Sequence, residues 1–200
     1  MHSRYENSAA VTGIVLCEPV YTQSIRGKRY YATVLESKRL SENTDKINTL
    51  ISGNMLGDFP ICTGETVSLS GSIKTFNNKS GIGSRLRIVF VADAFAQSGE
   101  EENHVVLAGN ICKQPVYRRT PLGREICDIM LAIPDGNDRA DFLPCIAWGK
   151  SARMLSCLRV KQPLRVEGRL QSREYVKKSD YTEEIKTAYE ISVASFQILA

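Results

Sequence analysis

The sequence lacks the features on which membrane-spanning, secreted and metal-binding proteins depend. No run reaches the roughly 18 consecutive apolar residues of a membrane-spanning helix, and the start of the chain, Met1–Ser8, lacks the apolar core of a signal peptide. The six cysteines include no C-x-x-C pair, and there are only two histidines, so a zinc site is not expected. We therefore expect a cytoplasmic protein that is not a membrane protein and holds no metal or cofactor.

Catalytic motifs are equally scarce. We find no nucleophile–base pair, no Gly-rich phosphate loop and no carboxylate cluster at a predicted strand end. Cys127 and Cys145 lie in apolar, strand-like runs, where cysteine behaves as a small hydrophobic residue. No catalytic residue is assigned, and an enzyme is the least expected class of protein.

The positive charge is small and unevenly distributed. The net charge is +4, with 11 Lys+Arg and 11 Asp+Glu in residues 1–102 against 15 and 11 in residues 103–200. The whole excess therefore lies in the second half, which favours anion binding there.

An internal repeat organises the chain. The segment Gly13–Tyr21 aligns with Gly109–Tyr117 at an offset of 96, because both read G-x-x-x-x-x-P-V-Y. Further glycines match: Gly27 with Gly123 and Gly53 with Gly149 at the same offset, and Gly71 with Gly168 at an offset of 97. We predict two tandem domains of one fold, 1–98 and 103–200, divided near the polar stretch Gln97–Glu102.

Each half is predicted to hold five strands, with a helix between the third and the fourth, which is the order of an OB-fold barrel. The predicted strands of the second half are His104–Gln114, Glu125–Pro134, Asp141–Trp148, Gln162–Val176 and Lys186–Ile198, with a helix at Ser151–Leu158. Those of the first half are Ala10–Tyr21, Arg29–Ser37, Lys46–Ser52, Glu65–Phe76 and Arg85–Phe95, with a poor helix at Asn54–Pro60. The fold class is thus all-β with minor helix, as two tandem five-stranded OB-fold barrels, in which Gly109 and Gly168 mark bends or close backbone approach.

Two strands of the second half have informative outer faces. In Asp141–Trp148, the side chains of Leu143, Cys145 and Ala147 point one way, and those of Phe142, Pro144, Ile146 and Trp148 point the other. A small barrel buries only one such face, so a partner, a subunit or a ligand must cover the second. The run Leu164–Tyr175 alternates likewise, with Arg165, Glu167, Arg169, Gln171, Arg173 and Tyr175 on one side. Aromatic rings beside arginines suit single-stranded nucleic acid.

Several motifs of the second half give the chain a family resemblance. They are Asn103–Asn110, Pro115, Gly123, Cys145–Lys150, Val166–Tyr175 and Thr187–Val193. Along most of its length this half resembles the bacterial single-stranded-DNA-binding protein (SSB) family, and the first half looks like a diverged copy. The resemblance implies an OB fold that wraps single-stranded DNA by base stacking and phosphate pairing, and it places the stacking aromatics at Phe142, Trp148 and Tyr175.

Basic residues near these aromatics are the candidate phosphate ligands. They are Arg118, Arg119, Arg124, Lys150, Arg165, Arg169, Arg173, Lys177 and Lys178. The aromatic candidates have alternatives: Trp148 could lie in the core or an interface, Phe142 could contact another subunit, and Tyr175 could face solvent. The arginines at the hairpin turn, Arg118, Arg119 and Arg124, could also contact another subunit. Those along one strand, Arg165, Arg169 and Arg173, could form ion pairs with Glu167 or Glu174. In the first half, Lys46 and Ser52 stand for Phe142 and Trp148, and Ser68, Ser72 and Asn78 stand for Arg165, Arg169 and Tyr175. We therefore expect the first domain to serve mainly structure and assembly.

The resemblance also implies partners and a setting. Because some relatives carry two OB domains per chain and dimerise, we expect a homodimer with four OB domains, acting in DNA replication, recombination or repair in the bacterial cytoplasm, associated with the nucleoid, or in a phage. The chain ends at Phe196–Ala200 without the acidic tip that recruits enzymes in typical relatives, so recruitment by that route is not expected. The alternative is an OB-fold protein–protein interaction module, like a primosomal accessory factor, with little affinity for DNA.

Overall fold

The computed structural model describes residues 5–25, 27–39, 41, 43–77, 86–96, 103–136, 139–179 and 182–199. By its contacts the chain divides into two compact units. The repeat-1 unit consists of the described parts of Ala9–Asn103 and Gln171–Tyr189, and the repeat-2 unit consists of those of Met1–Ser8, His104–Leu170 and Glu190–Ala200. The second repeat thus contributes a segment to the repeat-1 unit. The predicted joint Gln97–Glu102 lies outside the described residues, and the boundaries 1–98 and 103–200 stay a prediction.

In the residues that the structure describes, both repeats are built from strands with one short helix each. The first contains β1 (Glu6–Val15), β2 (Val20–Ile25), β3 (Lys28–Lys38), β4 (Thr44–Ser52), α1 (Gly53–Asp58), β5 (Thr66–Asn77) and β6 (Leu86–Phe95). The second contains β7 (Asn103–Ile111), β8 (Val116–Arg119), β9 (Glu125–Pro134), β10 (Ala140–Trp148), α2 (Gly149–Leu155), β11 (Pro163–Ser179) and β12 (Thr182–Ile198).

The strand order of each repeat is that of a closed five-stranded barrel. In the first repeat the order is β3-β4-β6-β5-β1, and β1 pairs back with β3. In the second the order is β9-β10-β12-β11-β7, and β7 pairs back with β9. Counted along the chain without β2 and β8, the third and fifth barrel strands pair in parallel in both repeats. These pairs are β4 with β6 and β10 with β12. The predicted fold, two tandem OB barrels with minor helix, is confirmed.

The structure corrects the first predicted strand of each repeat, because Ala10–Tyr21 is interrupted, His104–Gln114 ends early at Ile111, and a further short strand follows in each case. β1 ends at Val15 and β2 begins after Pro19, while β7 ends at Ile111 and β8 begins after Pro115. Proline has no backbone N–H for a sheet ladder, so the P-V-Y motif marks a strand interruption. The helix that was expected to be poor forms for six residues as α1, because Pro60 lies beyond its end.

The predicted alternation of side chains holds along the strands that shape the second barrel. Leu143, Cys145 and Ala147 are at most 2% exposed and fill the barrel interior. On β11, Leu164, Val166 and Leu170 are buried in the same way. Ile146 departs from the pattern, since it is buried although it belongs to the outer face of β10.

Gly71 and Gly168, which match in the repeat, lie where two strands approach too closely for any side chain. A Cβ atom on Gly71 would lie 1.9 Å from the carbonyl oxygen of Val91, and one on Gly168 would lie 2.0 Å from that of Ser192. In both cases the partner is the last strand of the barrel, β6 or β12. The predicted role of Gly168 in close backbone approach is thus confirmed, and the match of Gly71 with Gly168 extends to atomic detail.

Candidate nucleic-acid interface

Two large aromatic side chains lie exposed on the outer face of β10. Phe142 is 44% exposed and Trp148 is 40% exposed, although the opposite face of the same strand is buried. Trp148 is the last residue of the strand and directly precedes α2. Six residues of extended chain separate the two rings by roughly 20 Å. They can therefore contact different bases of one strand.

The β8–β9 edge of the repeat-2 unit holds the first two predicted arginines. Arg118 binds Asp128 through two hydrogen bonds, Nε to Oδ2 at 2.6 Å and the second guanidinium nitrogen to Oδ1 at 3.2 Å. This pair is half exposed on both sides. Arg119 lies 3.5 Å from a carboxylate oxygen of Glu125. Both arginines therefore already meet a carboxylate.

Glu125 is the centre of a small polar cluster. It accepts a hydrogen bond from the Tyr117 hydroxyl at 2.6 Å and lies 3.0 Å from the guanidinium of Arg153. The hydrogen bond from Tyr117, together with Arg153 and Arg119, lowers the pKa of Glu125. We call Tyr117, Arg119, Glu125 and Arg153 the Glu125 cluster. It joins two guanidinium groups to one carboxylate, so it has a net positive charge at neutral pH.

Arg124 and Lys150 lie near the same strands. Both are exposed. The turn before Arg124 contains Gly123 at a positive φ of 75°, and the backbone N–H of Arg124 donates to the Thr120 hydroxyl at 3.1 Å. Lys150 is the second residue of α2, two positions after Trp148 along the chain.

On β11, Arg165 lies between two carboxylates. Its Nε lies 3.1 Å from Glu6, and its guanidinium also binds Glu167. The hydrogen bond from Arg165 lowers the pKa of Glu167 and raises that of Arg165 itself. The ion pair that the sequence left open as an alternative is therefore present. Arg169, on the same outer face, is partly buried.

The remaining predicted residues belong to the repeat-1 unit. Arg173 and Tyr175 lie on the part of β11 that groups with it, and Tyr175 is 38% exposed. The guanidinium carbon of Arg173 lies 6.0 Å from the centre of the Tyr175 ring, the range of a cation–π contact. The side chains of Lys177 and Lys178 lie outside the described residues.

The first repeat has a different outer face. Leu50, Val89 and Val91 form a buried cluster, against which Tyr30 and Phe76 pack. At the positions that correspond to Phe142 and Trp148, Lys46 is exposed and Ser52 is nearly buried. An aliphatic cluster thus occupies the face that holds exposed aromatics in the second repeat.

Two aromatic pairs in the repeat-1 unit were not predicted from the sequence. Phe59 and Phe95 meet edge to face at 5.5 Å, and Tyr21 and Tyr31 do so at 5.8 Å. Tyr21 had a signal, since it is the tyrosine of the repeated P-V-Y motif. Phe59 lies in a loop and Phe95 at a strand end, where alternation gives no information.

These features define a class, that of OB-fold proteins with an exposed aromatic and basic surface on one barrel. The model of the family described as "Single-strand binding protein family" matches residues 102–199 of this chain. Single-stranded DNA-binding protein 1 of Streptococcus pyogenes is 35% identical over 104 residues, which cover 48% of this chain and 78% of that protein. The chain belongs to the single-strand binding protein family, as the sequence analysis expected. That family is not one of enzymes.

Other relatives match a shorter part. Single-stranded DNA-binding protein 3 of Listeria innocua and protein A of Bacillus subtilis are each 36% identical over 80 residues, 36% of this chain. The chain spans about half of their lengths, 50% and 46%.

Solved structures match the whole chain. The wild-type single-stranded DNA binding protein of Thermus aquaticus superposes with a TM-score of 0.77 at 19% identity, covering 99% of this chain and 95% of that one. A deletion mutant of the same protein gives 0.74 at 20% identity. At this identity the likeness shows the fold alone. None of the helices in the described residues has the length and apolarity to cross a bilayer.

Proposed function

We propose that this chain binds single-stranded DNA with little regard to sequence, chiefly through the repeat-2 unit. The observation that supports this most is the exposure of Phe142 and Trp148 on a strand whose other face is buried. Exposed rings of this size are costly in water and offer flat surfaces on which bases stack. Every base has such a surface, so stacking tolerates any sequence.

Arginines would supply the second part of the affinity. Arg118, Arg119 and Arg165 are already paired with carboxylates, so a phosphate must compete with those partners. For the exposed pair of Arg118 and Asp128 the competition is easy, because such pairs contribute about 1 kcal/mol or less. Each phosphate bound releases counterions, so affinity should fall with salt.

The family and the names of its members support a role in DNA metabolism. We infer that the protein covers single-stranded DNA during replication, recombination or repair. It would act in the bacterial cytoplasm in association with the nucleoid, and it would be encoded by the bacterium or by a phage. With two barrels in one chain, a homodimer would present four OB domains. The domain 103–200 would then dominate DNA binding, while the domain 1–98 would serve mainly assembly.

The test is a titration of a dye-labelled dT oligonucleotide with the full chain, read by fluorescence anisotropy at several salt concentrations. An oligonucleotide of about 16 nucleotides is long enough for one OB domain. We expect tight binding that weakens with salt, similar binding to a mixed sequence, and weak binding to the matching duplex. Absence of binding at low salt would contradict the proposal and favour the protein-interaction module instead.

A further inference from the structure

A fully buried carboxylate lies in the repeat-1 unit, at the start of β4. Asp45 is 0% exposed and binds Arg39, with Arg39 Nε 3.0 Å from Oδ2 and its second nitrogen 2.6 Å from Oδ1. A buried charge is tolerated only when it is paired and its oxygens are satisfied. The two-pronged contact with Arg39 meets part of this requirement. A further hydrogen bond to Asp45 comes from a residue 127 positions away in the sequence.

That residue is Ser172 of β11, and the ion pair holds both of its backbone groups. The Ser172 N–H donates to Asp45 Oδ1 at 2.7 Å, and Arg39 donates to the Ser172 carbonyl oxygen at 3.0 Å. The backbone N–H of Lys46 also donates to the Ser172 hydroxyl at 3.1 Å. Asp45 thus accepts from the backbone N–H of Ser172 and Arg39 donates to its carbonyl, as the backbone of a neighbouring strand would. All four residues belong to the repeat-1 unit.

Two of the predicted DNA ligands lie one and three residues after Ser172 on β11. Arg173 and Tyr175 share one face of β11 because side chains alternate, and the guanidinium of Arg173 lies 6.0 Å from the Tyr175 ring. Ser172 points to the opposite face. A strand held at Ser172 therefore has a fixed orientation, which fixes where the arginine and the ring point.

We propose that Asp45 and Arg39 are positioning residues that hold Ser172 so that Arg173 and Tyr175 face the DNA strand. This rests on the proposed function, and it gives the first repeat a part in binding although it lacks the aromatic face. The pair acts through β11 and does not itself contact DNA. Such a fixed platform loses less entropy when a flexible ligand binds.

The experiment uses the full chain with two substitutions. Asp45→Asn removes the charge and places an amide N–H against Arg39, while Arg39→Lys keeps the charge but loses the rigid guanidinium fork that makes two bonds to Asp45 and one to Ser172. Thr44→Ala is the matched control, because Thr44 is the exposed neighbour of Asp45 and its hydroxyl is directed to Glu36. Each variant is made with and without Tyr175→Ala. Binding to the labelled dT oligonucleotide and amide exchange of peptides covering Gln171–Val176 are measured.

We expect both substitutions to weaken binding by at least about threefold and to speed exchange in those peptides. In the Tyr175→Ala background the same substitutions should have a smaller effect, because only Arg173 is left to be positioned, while Thr44→Ala should change neither measurement. If Asp45→Asn does not fold, Arg39→Lys decides, since Arg39 is a quarter exposed and its replacement keeps the charge.

Two results overturn the inference. One is unchanged affinity in the presence of faster exchange. The other is a loss of affinity that persists in full without Tyr175, which would mean that the pair acts elsewhere. The wild-type chain alone distinguishes a failure of the proposed function. If the wild-type chain does not bind the oligonucleotide, the proposed function is wrong, and the positioning role is wrong too.

Discussion

The two repeats share a barrel and differ in what covers it. The closely packed glycines, Gly71 and Gly168, and the broken first strands recur in both copies. On the outer face, exposed Phe142 and Trp148 in one copy contrast with the buried cluster around Leu50 in the other. The inward pattern and the glycines therefore specify the fold, while outward side chains can change without loss of the barrel. Ligand chemistry depends on that second, freer set.

The largest expected effect follows from removing the exposed rings of the second repeat. Each of Phe142→Ala and Trp148→Ala should cost about 1–3 kcal/mol of binding free energy, because each removes one stacking surface. The double variant, measured by anisotropy with labelled dT, should lose the most. Phe59→Ala is the matched control, since Phe59 is a 63% exposed ring of the first repeat. An equal loss with Phe59→Ala would break the contrast between the repeats.

The shared architecture is tested by the paired glycines. Gly71→Ala and Gly168→Ala should each lower the free energy of unfolding by about 1–3 kcal/mol, because the new methyl group collides with a backbone carbonyl. Urea denaturation measures both. Gly57→Ala is the control, because Gly57 is helical with open space at the Cβ position, and alanine favours a helix. A tolerated Gly168→Ala would show that the repeats are not built alike.

A smaller effect concerns charge. Glu125→Gln should free Arg119 and Arg153 for phosphate, raising affinity at low salt and steepening the salt dependence by about one counterion. The lowered pKa keeps Glu125 ionised at neutral pH, so substitution is the effective change. Glu18→Gln makes the same charge change in the first repeat and should have less effect. If the two variants behave alike, affinity responds to net charge and not to this cluster.

The smallest effect is chemical and concerns the two buried thiols of the second repeat, whose other cysteines, Cys112 and Cys157, are partly buried and exposed, respectively. Burial raises the pKa of Cys127 to about 11 and raises that of Cys145 as well, so both thiols stay neutral and shielded at about pH 8. The first repeat has only Cys17 and Cys62, and both are exposed. Iodoacetamide should therefore label Cys17 and Cys62 in the native protein and reach Cys127 and Cys145 only after unfolding. Mass spectrometry of labelled peptides reads the result.

Much of the fold could be predicted from local pattern. The prediction for β9, Glu125–Pro134, agrees with the structure at both ends, and that for β10 differs by one residue. Alternation also identified Phe142 and Trp148 as outward residues. These features depend on side chains that repeat with the period of a strand, which the sequence displays directly.

Other features depend on contacts that no local pattern contains. The contact of Arg118 with Asp128 depends on how β8 pairs with β9, and the contact of Arg165 with Glu6 joins residues 159 positions apart. The burial of Asp45 and its bonds to Ser172 join residues 127 positions apart. For the same reason, the grouping of Gln171–Tyr189 with the first repeat could not be foreseen.

This grouping changes how the repeats should be compared. Fragments 1–98 and 103–200 would separate Ser172 from Asp45 and leave a buried carboxylate without part of its hydrogen bonding. Loss of binding in either fragment would then be ambiguous. Substitutions in the full chain keep both units whole and are the proper comparison.

The central claim is that the outer face of β10 in the second repeat stacks on bases, and the single tryptophan allows a direct test. The intrinsic fluorescence of Trp148 is followed while the full chain is titrated with oligo-dT at low and moderate salt. We predict strong quenching that saturates and weakens as salt rises, since a base would lie on the ring. Saturable binding in the anisotropy experiment with unchanged Trp148 fluorescence would contradict the claim.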